Sequence, residues 1–91
     1  MELEHTVEMM LSEDYKDRVK GEYWQAFIRH RSLKNMLERY DEGILPFTPD
    51  CPIELLRAQK EILAAYVHIL RERARIEGID VDDVTLAVRG A

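Results

Sequence analysis

Residues Ser12–Tyr40, SEDYKDRVKGEYWQAFIRHRSLKNMLERY, decide the fold. Within them Val19, Tyr23, Ala26, His30, Leu33, Leu37 and Tyr40 alternate steps of four and three, which lines them up along one side of a helix. Phe27, Ile28 and Met36 widen the apolar surface beyond that seam, so more than one neighbour must cover it. Ser12 is placed to cap the start, with Glu13 and Asp14 in the first turn, where negative charge suits the helix dipole. Gly21 inside the run costs about 1 kcal/mol relative to alanine and marks a bend or a close approach of another backbone.

Downstream, Asp41-Glu42-Gly43 ends this helix, with Gly43 suited to the left-handed C-terminal conformation. The connection Ile44–Cys51 is rich in apolar residues and proline, and Phe47 is expected to plug the end of a hairpin. A second helix is expected from about Pro52 to Glu77, stopping at Gly78, because Pro52 suits a first turn and Gly78 a C-cap. It carries two apolar lines. Ile53, Leu56, Leu63, Val67, Leu70 and Ala74 form one; Leu55, Ile62, Tyr66, Ile69 and Ile76 form the other. Two lines need two neighbours and the chain has one other long helix, so a second subunit is expected to supply the rest.

Upstream, Leu3, Val7 and Met10 have helical spacing, and residues 1–11 read as a flexible lead or a short helix. Residues 79–91 read as a tail or short element, either a short helix capped by Asp80 or a strand through Val84, Leu86 and Val88. The expected architecture is all-α: a long antiparallel helical hairpin over residues 12–78, assembling into a helical oligomer, with a short C-terminal element.

Composition bounds the function. At 91 residues the chain is one small domain that buries only about 60% of its unfolded surface alone, and oligomerisation is a natural remedy. No apolar run approaches the roughly 18 residues of a membrane span, and the acidic start Met1-Glu2-Leu3-Glu4 lacks the pattern of a secretory signal, so a cytoplasmic protein is expected. The net charge of −5 is uneven: residues 15–40 carry seven basic side chains against three acidic ones. An acidic whole disfavours extended nucleic acid, while a local positive field suits a compact anion.

The chain shows no phosphate-binding glycine loop, metalloprotease motif, calcium loop or zinc-finger spacing, and His5, His30 and His68 have no paired metal spacing. No metal, cofactor or enzymatic activity is expected, since nothing arranges a nucleophile, a base and oxyanion donors. The lone Cys51 reads as a buried small side chain and His68 as a hydrogen-bonded core or interface residue. Two groups remain as candidate ligand contacts. One is Arg29 and His30, with Tyr23 and Trp24 one or two turns before them, since arginine forks satisfy phosphate oxygens and aromatic faces stack on bases. The bland alternative is an inward His30 with Arg29 and Arg31 paired to acids across the hairpin. The other group is Tyr15, Lys16, Arg18 and Lys20, again with Tyr23 and Trp24, whose alternative is a core aromatic line with solvated lysines. The Arg71-Glu72-Arg73-Ala74-Arg75 run reads as the solvated end of the second helix, with a phosphate-facing patch as its alternative.

Through Tyr23-Trp24, Arg29-His30-Arg31, Cys51-Pro52-Ile53-Glu54 and Ala64-Ala65-Tyr66, the chain resembles small helical-hairpin proteins of Firmicutes phages and prophages. Some of these carry a carnitine CoA-transferase label, which a 91-residue chain without an enzyme scaffold does not support. Over about residues 15–77 the hairpin is also similar to phage sponges that sequester immune cyclic nucleotides and so antagonise CBASS or Thoeris defence. That resemblance implies a multimer whose pockets lie between subunits and bind without cleavage. It further implies that Tyr15 stacks on a base while Lys16 or Lys20 holds phosphate. Two other readings stand beside it: a protein-interaction module acting as a phage inhibitor or assembly factor, and, less favoured by charge and helix length, DNA binding through a helical motif.

Overall fold

The structure is a computed structural model that describes residues 1–84. A 3-10 turn at Leu3–Thr6 leads into the short helix α1 (Val7–Leu11), followed by the two long helices α2 (Tyr15–Asp41) and α3 (Ile53–Glu77). No strand occurs among the described residues. The all-α hairpin is thus as the sequence predicts. Its antiparallel sense is recorded by the bonds across it: Tyr15 meets Glu77, Glu22 meets Tyr66, Tyr23 meets Arg71, and Asp41 meets Arg57.

Local chemistry fixes the ends. Asp14, not Ser12, is the N-cap of α2, its carboxylate accepting from the Lys16 amide at 2.9 Å. Ser12 instead closes α1, where its hydroxyl accepts from the Asp14 amide and donates to Asp17. An extended residue was needed between two helices, and Ser12 takes that position. At the far end Gly43 adopts φ +74, with its amide bonded to Tyr40 and that of Ile44 to Arg39. α3 stops the same way at Gly78, φ +72, where the Ile79 amide returns to the Ala74 carbonyl at 2.8 Å.

The core lies toward the open end of the hairpin. Val19, Tyr23 and Ala26 of α2 pack with Leu70 and Ala74 of α3, and Ile79 and Val81 of the following turn close the cluster, with Trp24, Phe27 and Val67 against it. The inward line of α3 is therefore the one ending in Leu70 and Ala74. The second line, Leu55, Ile62, Tyr66, Ile69 and Ile76, remains exposed.

The N-terminal segment covers another side of α2. Gly21 is buried where Met10 crosses it: a β-carbon there would lie 2.9 Å from Met10 Sδ and 3.1 Å from the Met10 amide nitrogen. Of the two roles open to Gly21, close backbone approach is the one realised. Gln25 reinforces the contact by donating to the Thr6 hydroxyl at 3.2 Å.

Four expectations are corrected. Phe47 is exposed and lines a shallow groove with Tyr40 and Leu45, because the connection runs over the surface and does not turn its side chains into the core. Tyr40, the last residue of the seam, is exposed because it lies one residue from the end of α2, beside that surface connection. Cys51 is exposed in the turn before α3, and the N-cap position there is taken by Pro52. His68 is exposed, since the inward turn at that level is occupied by its neighbours Val67 and Leu70. Ile79 and Val81 are buried in a turn, and the strand drawn through Val84, Leu86 and Val88 falls, beyond Val84, outside the described residues.

Candidate functional site

Residues seven apart on a helix return to nearly the same side after two turns. Tyr15, Glu22, Arg29 and Met36 therefore run along one edge of α2, and Gln59, Tyr66 and Arg73 along the facing edge of α3. Because the helices are antiparallel, the two rows meet in order. At the open end the Tyr15 hydroxyl donates to Glu77 Oε1 at 2.8 Å and accepts from Arg73 Nη2 at 3.0 Å, and Arg73 Nε lies 3.5 Å from Glu77 Oε2. In the middle the Tyr66 hydroxyl donates to Glu22, which favours the neutral phenol and raises the Tyr66 pKa above the ordinary tyrosine value.

Further along, the rows part around a groove of about 370 Å³. Leu3, Ile28, Leu33, Met36 and Leu63 supply its apolar wall, and Arg29, Ser32 and Gln59 its polar groups. An apolar wall with few convergent polar groups is the usual make-up of a small-molecule site. Arg29 is exposed, which leaves its guanidinium available to an anion. Tyr15 and Tyr66 are both exposed while their hydroxyls are bonded, so each aromatic side chain is held in place at the surface.

The opposite edge is built differently. Trp24 Nε1–H donates to the Val81 carbonyl at 2.7 Å, and Lys20 Nζ lies 3.7 Å from Asp83. Tyr23 is buried, its hydroxyl accepting from Arg71 Nη2 at 2.8 Å while that guanidinium sits 5.3 Å from its ring centre. The Tyr23 bond, with the nearby Asp82, raises the Arg71 pKa further and keeps it charged. Residues 79–83 thus lie over this edge and occupy the polar groups that face them.

The sequence-predicted residues are consequently divided. Tyr15 and Arg29 share the open edge, but fourteen residues of helix separate them by about 21 Å, beyond the reach of one mononucleotide within a single chain. Lys20, Tyr23 and Trp24 sit on the covered edge or in the core, and Lys16 projects into solvent. His30 is half-buried; Arg31 lies over the Phe27 ring at 5.9 Å rather than pairing with an acid across the hairpin. Arg73 is exposed, as a solvated helix end implies, but its bond to Tyr15 across the hairpin was not foreseen, and Gln59 had no part in the sequence argument. The signal was present: Gln59, Tyr66 and Arg73 repeat the seven-residue step of Tyr15, Glu22 and Arg29.

Among the described residues no group of three or more His, Cys, Asp or Glu side chains could hold a metal ion. No helix among them is long and apolar enough to cross a membrane. No curated protein and no solved structure gives a significant match to the chain. The Sequestin family model matches residues 13–76, which take in the whole of α2 and all but the last residue of α3. That span is more than two thirds of the 91 residues, and the chain belongs to the Sequestin family.

Proposed function

We propose that the protein binds and sequesters a cyclic nucleotide immune signal, acting as a phage-encoded sponge against signalling defences of the CBASS or Thoeris kind in the host cytoplasm. The family's name speaks of sequestration, and that coarser statement fits the fold. The observation that carries the finer reading is the continuity of the open edge. An apolar groove holding Arg29 runs on into an edge where Tyr66, Tyr15 and Arg73 present rings and a guanidinium. A base has an apolar or aromatic surface to lie on, and a phosphate has an arginine fork to meet.

The groove is open on one side, and the site residues of one chain are spread along the helix axis. Both features suit a ligand held between subunits, and self-association belongs to this reading. Isothermal titration with a panel of cyclic di- and trinucleotides tests it. One member of the panel should bind the wild type and bind Arg29→Glu at least tenfold more weakly, with helicity unchanged. Equal affinity in the variant removes Arg29 from the site.

A second reading, a helical protein-interaction module acting as a phage inhibitor or assembly factor, is favoured by the exposed apolar line of α3. It requires that line to stay uncovered after self-association, and a host-lysate pull-down then recovers a defined protein partner.

A further inference from the structure

The second apolar line of α3 has a shape and a charge pattern of its own. Leu55, Ile62, Ile69 and Ile76 recur every seven residues and are 60%, 70%, 55% and 74% exposed. Four large aliphatic side chains in one row over about 32 Å of helix form a patch that a lone soluble domain rarely shows to water. In the first two gaps, on the same side, stand the exposed small residues Ala58 and Ala65, and in the third Glu72, which pairs with Arg75. A seven-residue repeat drifts by about 20° per heptad on a straight helix, the offset that a left-handed pair of helices takes up. Large residues facing alanines allow such a pair to interdigitate closely.

The residue immediately before each member of the row lies on one flank: Glu54, Glu61, His68 and Arg75. All four are exposed. Glu61 touches Lys60, and Arg75 touches Glu72 at 3.0 Å, both within the chain and at the surface. The flank carries two carboxylates in its first half and an imidazole and a guanidinium in its second. In a parallel pairing of two copies Glu54, Glu61 and His68 would face the other flank, Gln59, Tyr66 and Arg73 in turn, and none would find an opposite charge. In an antiparallel pairing they face one another.

From this pattern we infer that α3 is the subunit interface, pairing antiparallel with α3 of a second copy about a two-fold axis near Ala64 and Ala65. Glu54 then stands opposite Arg75 of the second copy and Glu61 opposite its His68, each pair occurring twice by symmetry. The sequence is self-complementary in this sense only. The other flank follows from the same geometry: Tyr66 comes beside Tyr66 of the second copy, and Gln59 comes near its Arg73. The open edges of two chains are thereby brought to one side of the dimer, forming a cleft with equivalent walls. The inference makes the self-association of the proposed function specific, and it rests on that part of the reading and not on any ligand.

Sedimentation of the full chain without ligand tests it. Wild-type protein should sediment as a dimer or a multiple of it. Ile62→Glu with Ile69→Glu should yield monomers with unchanged helicity, because both residues are exposed within the chain. Reversing one half of the flank, Glu54→Arg with Glu61→Arg, should weaken dimerisation at least tenfold. Adding His68→Glu and Arg75→Glu to the same chain should restore it, a rescue that a parallel pair does not give. Monomeric wild type, an intact dimer in the isoleucine variant, or charge reversal without loss and rescue would each overturn the proposal. Wild-type monomers that capture another protein through α3 would do so as well.

Discussion

Tyr15 and Arg73 stand 58 positions apart in the chain and meet across the open end of the hairpin, Arg73 Nη2 donating to the Tyr15 hydroxyl at 3.0 Å. The bond, together with Glu77, raises the Arg73 pKa and holds the guanidinium charged beside an exposed aromatic ring. It also fixes one end of the edge on which the groove around Arg29 lies.

The two edges should therefore respond differently to charge reversal. Arg29→Glu and Arg73→Glu on the open edge are expected to lower nucleotide affinity at least tenfold each, about 1.4 kcal/mol. Lys20→Glu, on the edge that residues 79–83 cover, should leave affinity unchanged while it repels Asp83. Titration calorimetry of the three variants checks this, with circular dichroism as the control for folding.

Gly21→Val should detach the N-terminal segment. A β-carbon at this position meets the Met10 amide nitrogen at 3.1 Å, and two further methyl groups cannot be accommodated without moving α1. Overpacking of this kind costs about 1–3 kcal/mol. The expected readout is faster proteolytic cleavage within residues 1–14, with the α2–α3 hairpin intact; an unchanged cleavage rate contradicts it.

Trp24→Phe removes the 2.7 Å bond from the indole N–H to the Val81 carbonyl while keeping an aromatic ring near Tyr23 and Phe27. The loss of a half-buried hydrogen bond should lower stability by about 1 kcal/mol. Urea denaturation followed by circular dichroism measures it. Amide exchange should also quicken in residues 79–83, since the bond ties that turn to α2.

Acid should weaken the loop end of the hairpin. Arg57 makes two bonds to Asp41, at 2.6 and 3.2 Å, and they hold the Asp41 carboxyl below the usual carboxylate range. A carboxyl whose pKa is lower in the folded chain stabilises the fold above its unfolded pKa, and that contribution is lost as pH falls through the folded value. Arg57→Gln should therefore be less stable than wild type at neutral pH, and the two should converge in strong acid. Thermal melts of both proteins from neutral to strongly acidic pH display the convergence; parallel curves contradict it.

The long helices were legible because spacing and caps agree: the inward line through Val19, Tyr23 and Ala26, and the glycines at 43 and 78, are local features of the sequence. The second line on α3 was legible for the same reason, and it is the line left exposed. The site was legible only in part. Proximity between Tyr15 and Arg73, or between Arg29 and Gln59, depends on how the two helices are set against each other, which no window of sequence contains. Tyr23 and Trp24 looked like ligand aromatics because ring chemistry is the same in a core and in a site; burial and the bond to Val81 separate the two. Phe47 and Cys51 were misjudged since loop side chains follow the path of the loop rather than a periodic face.

Native mass spectrometry of the wild-type protein, alone and with cyclic di- and trinucleotides, bears on sequestration itself. The account predicts that one nucleotide is retained at a fixed ratio to the subunits and is recovered with its ring intact after the protein is denatured. An assembly that retains none of them, or that releases a linearised or cleaved product, contradicts it.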